Sequence, residues 1–201
     1  MQEYRSLYPN HAHQLAVSVS KHLFVTKSGK LKFQVKPFEV SLADLPGEKE
    51  HIVIFALRDH CSGVGYAEIR LGSQIGQLTS FLAKAWMQKA GHPFCGAPEI
   101  ILISKTAESA FPGTAEAIEG LGVQVLPVAS GFQTNIGDVK VIESRFKLMD
   151  GESAEVLTKF GPDWSADFSN LPSRVRGKTK LDLWNAHDKE VLVPPDGWGV
   201  A

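Results

Sequence analysis

The chain has 201 residues, of which 43% are apolar, 21% charged and 9% aromatic, which is typical of a globular protein with one sizeable core. This composition excludes a disordered, collagen-like or coiled-coil chain. The net charge of −1 argues against a strong autonomous nucleic-acid binder, although it allows a local basic face. We expect no membrane association and a cytoplasmic location, because no apolar run reaches the roughly 18 residues of a bilayer span and the first residues lack the apolar stretch of a secretory signal. Two cysteines, Cys61 and Cys95, are too few for a disulfide framework or a four-cysteine zinc site.

The first third of the chain predicts strands. Residues 15–21 alternate apolar and polar side chains, the period of a half-buried strand. Residues 23–36 predict a hairpin around a turn at 27–30. Residues 52–57 form a continuous apolar run, typical of a strand buried on both faces, and residues 66–71 alternate again.

The rest of the chain alternates helices and strands. Apolar residues recur at helical spacing over residues 73–90 and 136–148, and in a short helix over 114–121. Residues 100–103 and 123–128 predict buried strands, and one more helix is expected near 180–187. A three-stranded meander followed by such crossovers predicts a mixed α/β fold around one central sheet.

Four strings of this sequence, in this order, resemble the catalytic core of retroviral integrases and bacterial transposases. They are IVIFALRDHCSGVGYAEIRL with the long helix that follows; PEIILIS, AESAF and EGLGVQV; NIGDVKVIESRF; and LPSRVRGKTKLDLW. The resemblance implies a ribonuclease H-like α/β fold, with a three-stranded antiparallel meander plus parallel strands, flanked by helices. It places this core over residues 14–149, followed by a C-terminal extension over 150–201 that carries a basic segment.

The resemblance also implies a site for phosphoryl transfer on DNA, in which three carboxylates hold two divalent ions. The first carboxylate position falls on Ser18 or Val19, which carry no charge. The second falls on Lys105 or Thr106, and a lysine there repels a metal ion. The third falls on Glu143, the only family carboxylate that this sequence retains and hence the only candidate metal ligand.

Other alignments and interpretations of these positions stay open. Glu39 would be the first acid if residues 31–40 formed the first strand, and an alignment anchored on Gly137 would select Lys140 in place of Glu143. The spacing of Lys140, Glu143 and Lys147 also fits an ordinary solvated helix face with ion pairs.

Two further acids are weaker catalytic alternatives. Asp59 lies in a predicted turn, where an aspartate more often caps the backbone. Glu108 follows the second position by three residues and could reach inward, although a surface charge on a loop is the more common role. A rebuilt active site of Asp59, Glu108 and Glu143 is the remaining enzymatic option.

The densest basic cluster lies in the extension, at Arg174, Arg176, Lys178 and Lys180. In the resembling family this region lies near DNA or a partner subunit, so a phosphate-contacting strip and a solvated basic loop are both open. Residues 1–13 predict no recognition helix, so we expect that a core of this kind does not select DNA sites alone.

The sequence therefore favours a catalytically degenerate integrase-core-like protein of mobile-element recombination. It would act by binding DNA, itself or an active recombinase, and we expect no cofactor. One alternative is an active nuclease or strand-transfer enzyme that uses Mg²⁺ or Mn²⁺. The other is a protein-interaction module without a nucleic-acid role.

Overall fold

A six-stranded sheet of mixed direction forms the centre of the fold. The computed structural model describes residues 6–46, 48–129, 136–159, 177–187, 195 and 197–198. The strands are β1 (Ala12–Val25), β2 (Leu31–Phe33), β3 (Glu50–Asp59), β4 (Gly65–Leu71), β5 (Ile100–Ser104) and β6 (Gln124–Val128). Their order is β4-β3-β1-β5-β6, and β2 pairs with the end of β1. The β4-β3-β1 half is antiparallel, whereas β1, β5 and β6 run parallel.

The central strand β1 is longer than the sequence predicts. The predicted strand over residues 15–21 and the first arm of the hairpin form one continuous strand. Its register against β3 shifts between Val19 and Phe24, so a bulge takes the place of the predicted break. The hairpin prediction is confirmed, because β1 pairs with β2 through a turn in which Gly29 has a φ of 75°.

Helices cover both faces of the sheet and enclose two apolar cores. They are α1 (Leu78–Trp86), α2 (Lys105–Ala110), α3 (Thr114–Glu119), α4 (Ile136–Phe146) and α5 (Lys180–Asn185). The first core lies between the sheet and α1, where Phe81 and Trp86 are fully buried. The second lies between the sheet and α4, whose Val139, Ile142 and Phe146 are buried as predicted.

The helix predicted over residues 73–90 is shorter at both ends. Residues Gly72–Gln74 form a 3₁₀ turn. Gly76 has a φ of 62°, a left-handed conformation that prevents the turn from continuing into α1. At the other end Met87 is extended, with a ψ of 150°, so α1 stops there.

A short helix that the sequence analysis did not predict, α2, follows β5 directly. Ser104, the last residue of β5, is its N-cap, and the Ser104 side chain accepts a hydrogen bond from the Ala107 amide. The strand therefore passes into the helix without a loop, so Lys105 begins a helix at the end of the parallel half of the sheet.

His13 is a polar side chain at the centre of the first core. Its Nδ1 accepts a hydrogen bond from the Trp86 indole at 3.2 Å, so its Nε2 carries the proton and donates to the Asn10 side-chain oxygen at 2.9 Å. The ring is fully buried, and burial lowers the pKa of His13 to about 3. A neutral ring satisfies both Trp86 and Asn10. A protonated ring would instead place a second N–H donor against the N–H group of the indole.

The predicted fold class is confirmed. An antiparallel meander of three strands continues into parallel strands, with helices on both faces, as expected of a ribonuclease H-like α/β fold. The boundary at 149/150 stays a prediction, although Trp184 of α5 is buried in the first core. In the part of the chain that the structure describes, no helix is long and apolar enough to cross a membrane.

Candidate functional site

Glu143 on α4 faces the central strand. The Ser20 hydroxyl of β1 donates a hydrogen bond to the Glu143 carboxylate. The same hydroxyl accepts hydrogen bonds from the backbone amides of His22 and Leu23, at 3.3 and 3.0 Å. Ser20 lies in the bulge of β1 and is only 2% exposed, so the irregular backbone presents this hydroxyl to α4.

Ser18 and Val19 are the two candidates for the first carboxylate position. The alternation of side chains along β1 decides which of them lies on the same face of the sheet as Glu143. Val19 is buried in the first core, on the α1 side, whereas Ala16 belongs to the second core, on the α4 side. Because successive side chains of a strand point to opposite faces, Ser18 lies on the same face as Ala16 and Ser20. The structure therefore places Ser18 on the Glu143 side of the sheet and Val19 on the other. Glu39 is exposed and lies outside the strands.

The second position lies at the end of β5. The parallel pairing of β1 with β5 ends at Gln14 and Leu102, two residues before the last residue of β5, Ser104. Lys105 and Thr106 come next, both exposed in the first turn of α2. With the segment at 41–43 they line a groove of about 380 Å³.

The three positions that the resemblance implies lie on β1, at the start of α2 and on α4, and they do not carry three acids. Ser18 and Thr106 offer hydroxyls, Lys105 offers a cation, and Glu143 offers the carboxylate that Ser20 engages. Lys140 of α4 is exposed. Across the described residues, no group of three or more His, Cys, Asp or Glu side chains could hold a metal ion.

The hydrogen bonds of Asp59 indicate a structural role. It is fully buried at the end of β3, and its carboxylate accepts hydrogen bonds from the Asn10 amide at 2.8 Å and from the Ser62 amide and hydroxyl at 2.5 and 2.6 Å. These bonds close the turn between β3 and β4. Glu108 is half-buried on α2. The structure does not bring Asp59, Glu108 and Glu143 together as a metal-binding group.

A cluster of charges that the sequence analysis did not single out lies at the beginning of α4. Asp138, whose side chain is 6% exposed, pairs with Arg58 of β3 at 3.2 Å. Lys180 of α5 lies over Gly63, where a Cβ atom would come within 3.2 Å of the lysine side chain. Burial, and then repulsion by Arg58, lowers the pKa of Lys180 to about 8, with Asp138 acting in the opposite direction. The only signal in the sequence is an acid in the first turn of a predicted helix, which is too common to single out.

The structure describes half of the predicted basic segment. Arg174 and Arg176 lie outside the described residues. Lys178 is exposed, whereas Lys180 is half-buried in the charge cluster with Arg58 and Asp138. Lys180 is therefore less available to a phosphate than the sequence alone indicates.

Comparisons with known proteins show similarity to solved structures but no match in sequence. No family model matches the chain, and no curated protein matches it in sequence. Among solved structures it is similar to a chain of the simian T-cell lymphotropic virus intasome in complex with the PP2A regulatory subunit B56 gamma, with 14% identity and a TM-score of 0.48. The match covers 98% of this chain and 63% of that chain, so this chain spans less than two thirds of the length of the chain it matches.

Proposed function

We propose that this protein is a catalytically degenerate integrase-core-like protein that acts by binding in mobile-element recombination. The supporting observation is the pairing of Glu143 with Ser20, in a chain whose other two metal-ligand positions, as the resemblance implies them, hold Ser18 and Lys105 or Thr106. Two-ion phosphoryl transfer needs several carboxylate oxygens around the ions. A single carboxylate that already accepts a hydrogen bond from a serine hydroxyl does not meet that requirement.

The binding partners in this proposal are DNA, a second copy of the chain or an active recombinase. The exposed Lys178 supports weak contact with phosphates, whereas the net charge of −1 limits it. The proposed compartment is the cytoplasm, and two free thiols, at Cys61 and Cys95, fit a reducing environment.

Metal binding tests the proposal directly. We expect Mn²⁺ titrations of the wild-type protein and of Glu143→Ala to give no saturable heat in a calorimeter. A Ser18→Asp/Thr106→Asp double variant restores carboxylates at the other two positions that the resemblance implies, and we expect it to bind Mn²⁺. The matched control, Ser28→Asp/Asn185→Asp, adds the same charge at exposed positions elsewhere and should not bind. Saturable binding by the wild type that Glu143→Ala abolishes would instead support a working metal site, and plasmid cleavage would then be measured.

DNA binding is measured separately, by fluorescence anisotropy on a short labelled duplex over a series of salt concentrations. The proposal expects weak binding that falls steeply with salt. Salt-insensitive binding would contradict a phosphate-contacting surface. If no duplex binds at low salt and the chain neither self-associates nor binds a recombinase, the binding role in recombination is wrong.

A further inference from the structure

The outer strand β4 borders a groove of about 700 Å³ that is separate from the Glu143 site. Five β4 side chains line this groove, namely Tyr66, Glu68, Ile69, Arg70 and Leu71. Consecutive residues of a strand point to opposite faces, so a space that contacts all of them runs along the edge of the strand. The groove is therefore an open edge of the sheet and is distinct from a cavity in either core.

The backbone of β4 offers hydrogen-bonding groups to this groove. Asp59 of β3 donates its amide proton to Val64 at 2.8 Å, and hydrogen-bonded pairs alternate from there along the antiparallel ladder. Tyr66, Glu68 and Arg70 consequently bond to β3, whereas the amides and carbonyls of Ala67, Ile69 and Leu71 point outward. Within the described part of the chain these outward groups have no backbone partner.

One wall of the groove is polar. Arg70 donates to Glu68 at 2.7 Å and to the Ile75 carbonyl at 2.8 Å, so its guanidinium is held against the α1 side and does not cover the strand edge. Lys84 of α1 stands 3.7 Å from Glu68 with 59% of its side chain exposed. The two positive charges of Arg70 and Lys84 exceed the single negative charge of Glu68, so this wall has a net positive charge.

The opposite wall is mainly apolar. Ile69 and Leu71 point to the second core, where Ala154 and Leu157 pack beside them. Glu155 and Thr158 complete this wall and are exposed. The two walls stand on either side of the strand edge, one with a net positive charge and one mainly apolar, which suits a strand whose side chains alternate between acidic and apolar. A single extended segment fits between them.

We propose that β4 is a docking site for an extended peptide of a partner protein, in which acidic and apolar residues alternate. The peptide adds a strand to the sheet edge through Ala67, Ile69 and Leu71. Its acidic side chains face Arg70 and Lys84, and its apolar side chains face Leu71 and Leu157. This inference does not rest on the metal site or on the proposed function.

Defined peptides test the proposal. The probe is a capped nine-residue peptide of alternating valine and glutamate; the comparisons are the same peptide with lysine for glutamate and a version interrupted by two prolines. We expect the glutamate peptide to bind saturably with a Kd below about 1 mM, the lysine peptide to bind at least about threefold more weakly, and the proline peptide not to bind. Lys84→Glu should reverse the charge preference, whereas the matched control Lys21→Glu, at an exposed position of β1, should not.

Amide hydrogen exchange on the wild-type protein locates the peptide without any substitution. Adding the glutamate peptide should slow exchange at Ala67 and Ile69, and should leave Tyr66 and Glu68 unchanged because β3 already bonds to them. The proposal is overturned if the glutamate peptide does not bind, or if it binds without slowing Ala67 and Ile69. It is also overturned if these two amides slow with protein concentration alone, since a second copy would then occupy the edge.

Discussion

Replacing Asp59 by alanine will destabilise the fold more than any change at an exposed acid. The substitution removes the acceptor for two backbone amides, of Asn10 and Ser62, and for the Ser62 hydroxyl, at a position with no solvent exposure. Water cannot replace the lost acceptor without opening the turn between β3 and β4. The stretch before β1 and that turn therefore lose their common anchor.

The size of the effect follows from these bonds. Leaving one buried donor unsatisfied costs about 1–3 kcal/mol. With two amides affected and the hydroxyl free to rotate, we expect Asp59→Ala to lower the free energy of unfolding by about 3–5 kcal/mol. Asp59→Asn keeps one carbonyl oxygen for the Asn10 amide, but its own NH₂ group faces the Ser62 donors. Its cost should be about half as large.

Urea denaturation followed by circular dichroism measures these differences, provided the m-value is unchanged. Glu108→Ala is the control, since Glu108 is a half-buried helix acid and its loss should change stability by about 0.5 kcal/mol at most. A loss below about 1 kcal/mol for Asp59→Ala would refute the structural interpretation. If that variant were stable yet lost a DNA-processing activity, Asp59 would take part in the chemistry after all.

Three other outcomes are expected. His13 binds a proton near pH 6.5 in the unfolded chain but only near pH 3 in the folded chain. The free energy of unfolding therefore has its full His13 contribution above pH 6.5. This contribution falls by about 1.4 kcal/mol for each pH unit between 6.5 and 3. Urea titrations at pH 7, 6 and 5 should show this slope in the wild type and a shallower one in His13→Gln; equal slopes would contradict it. Gly63→Ala should lower stability by about 1–2 kcal/mol, because Gly63 has a φ of 76° and Lys180 lies where the new methyl group would go; an unchanged melting temperature would argue against that packing. Trp184→Ala should lower the free energy of unfolding, measured by thermal unfolding, by about 3–5 kcal/mol. The Trp184 ring is 1% exposed, stacks on Phe94 and donates a hydrogen bond to the Pro93 carbonyl. A smaller loss for Trp184→Ala than for Trp184→Phe would show that α5 does not support the core.

Most of the sheet could be predicted from the sequence, because a buried strand needs apolar residues and these are visible in its composition. Residues 52–57 are apolar without interruption, and β3 is buried on both faces. The spacing of Val139, Ile142 and Phe146 identified the buried face of α4 for the same reason. Helix ends were harder to predict, since a single backbone angle at Gly76 decides where α1 begins.

The candidate site could be predicted only in part. Glu143 was identified through the family resemblance, but its partner Ser20 is 123 residues away in the chain and lies in a bulge that no local pattern marks. The ambiguity between Ser18 and Val19 likewise needed the pairing of β1, because a strand shifted by one residue turns every side chain to the other face. The ion pair between Arg58 and Asp138 also joins distant segments.

The position of β1 between an antiparallel and a parallel neighbour has a consequence for synthesis of the chain. The antiparallel half of the sheet, which is formed by β1, β3 and β4, is complete once Leu71 has been made, whereas β5 on the other side of β1 begins only at Ile100, 29 residues later. At about 5–20 residues per second, that interval lasts about 1.5–6 s. During it, the nascent meander presents the backbone of its longest strand as an unpaired edge, on which another chain could pair. The middle of the finished sheet is thus an edge of the sheet while the chain is being made, until β5 pairs with Ala12–Gln14.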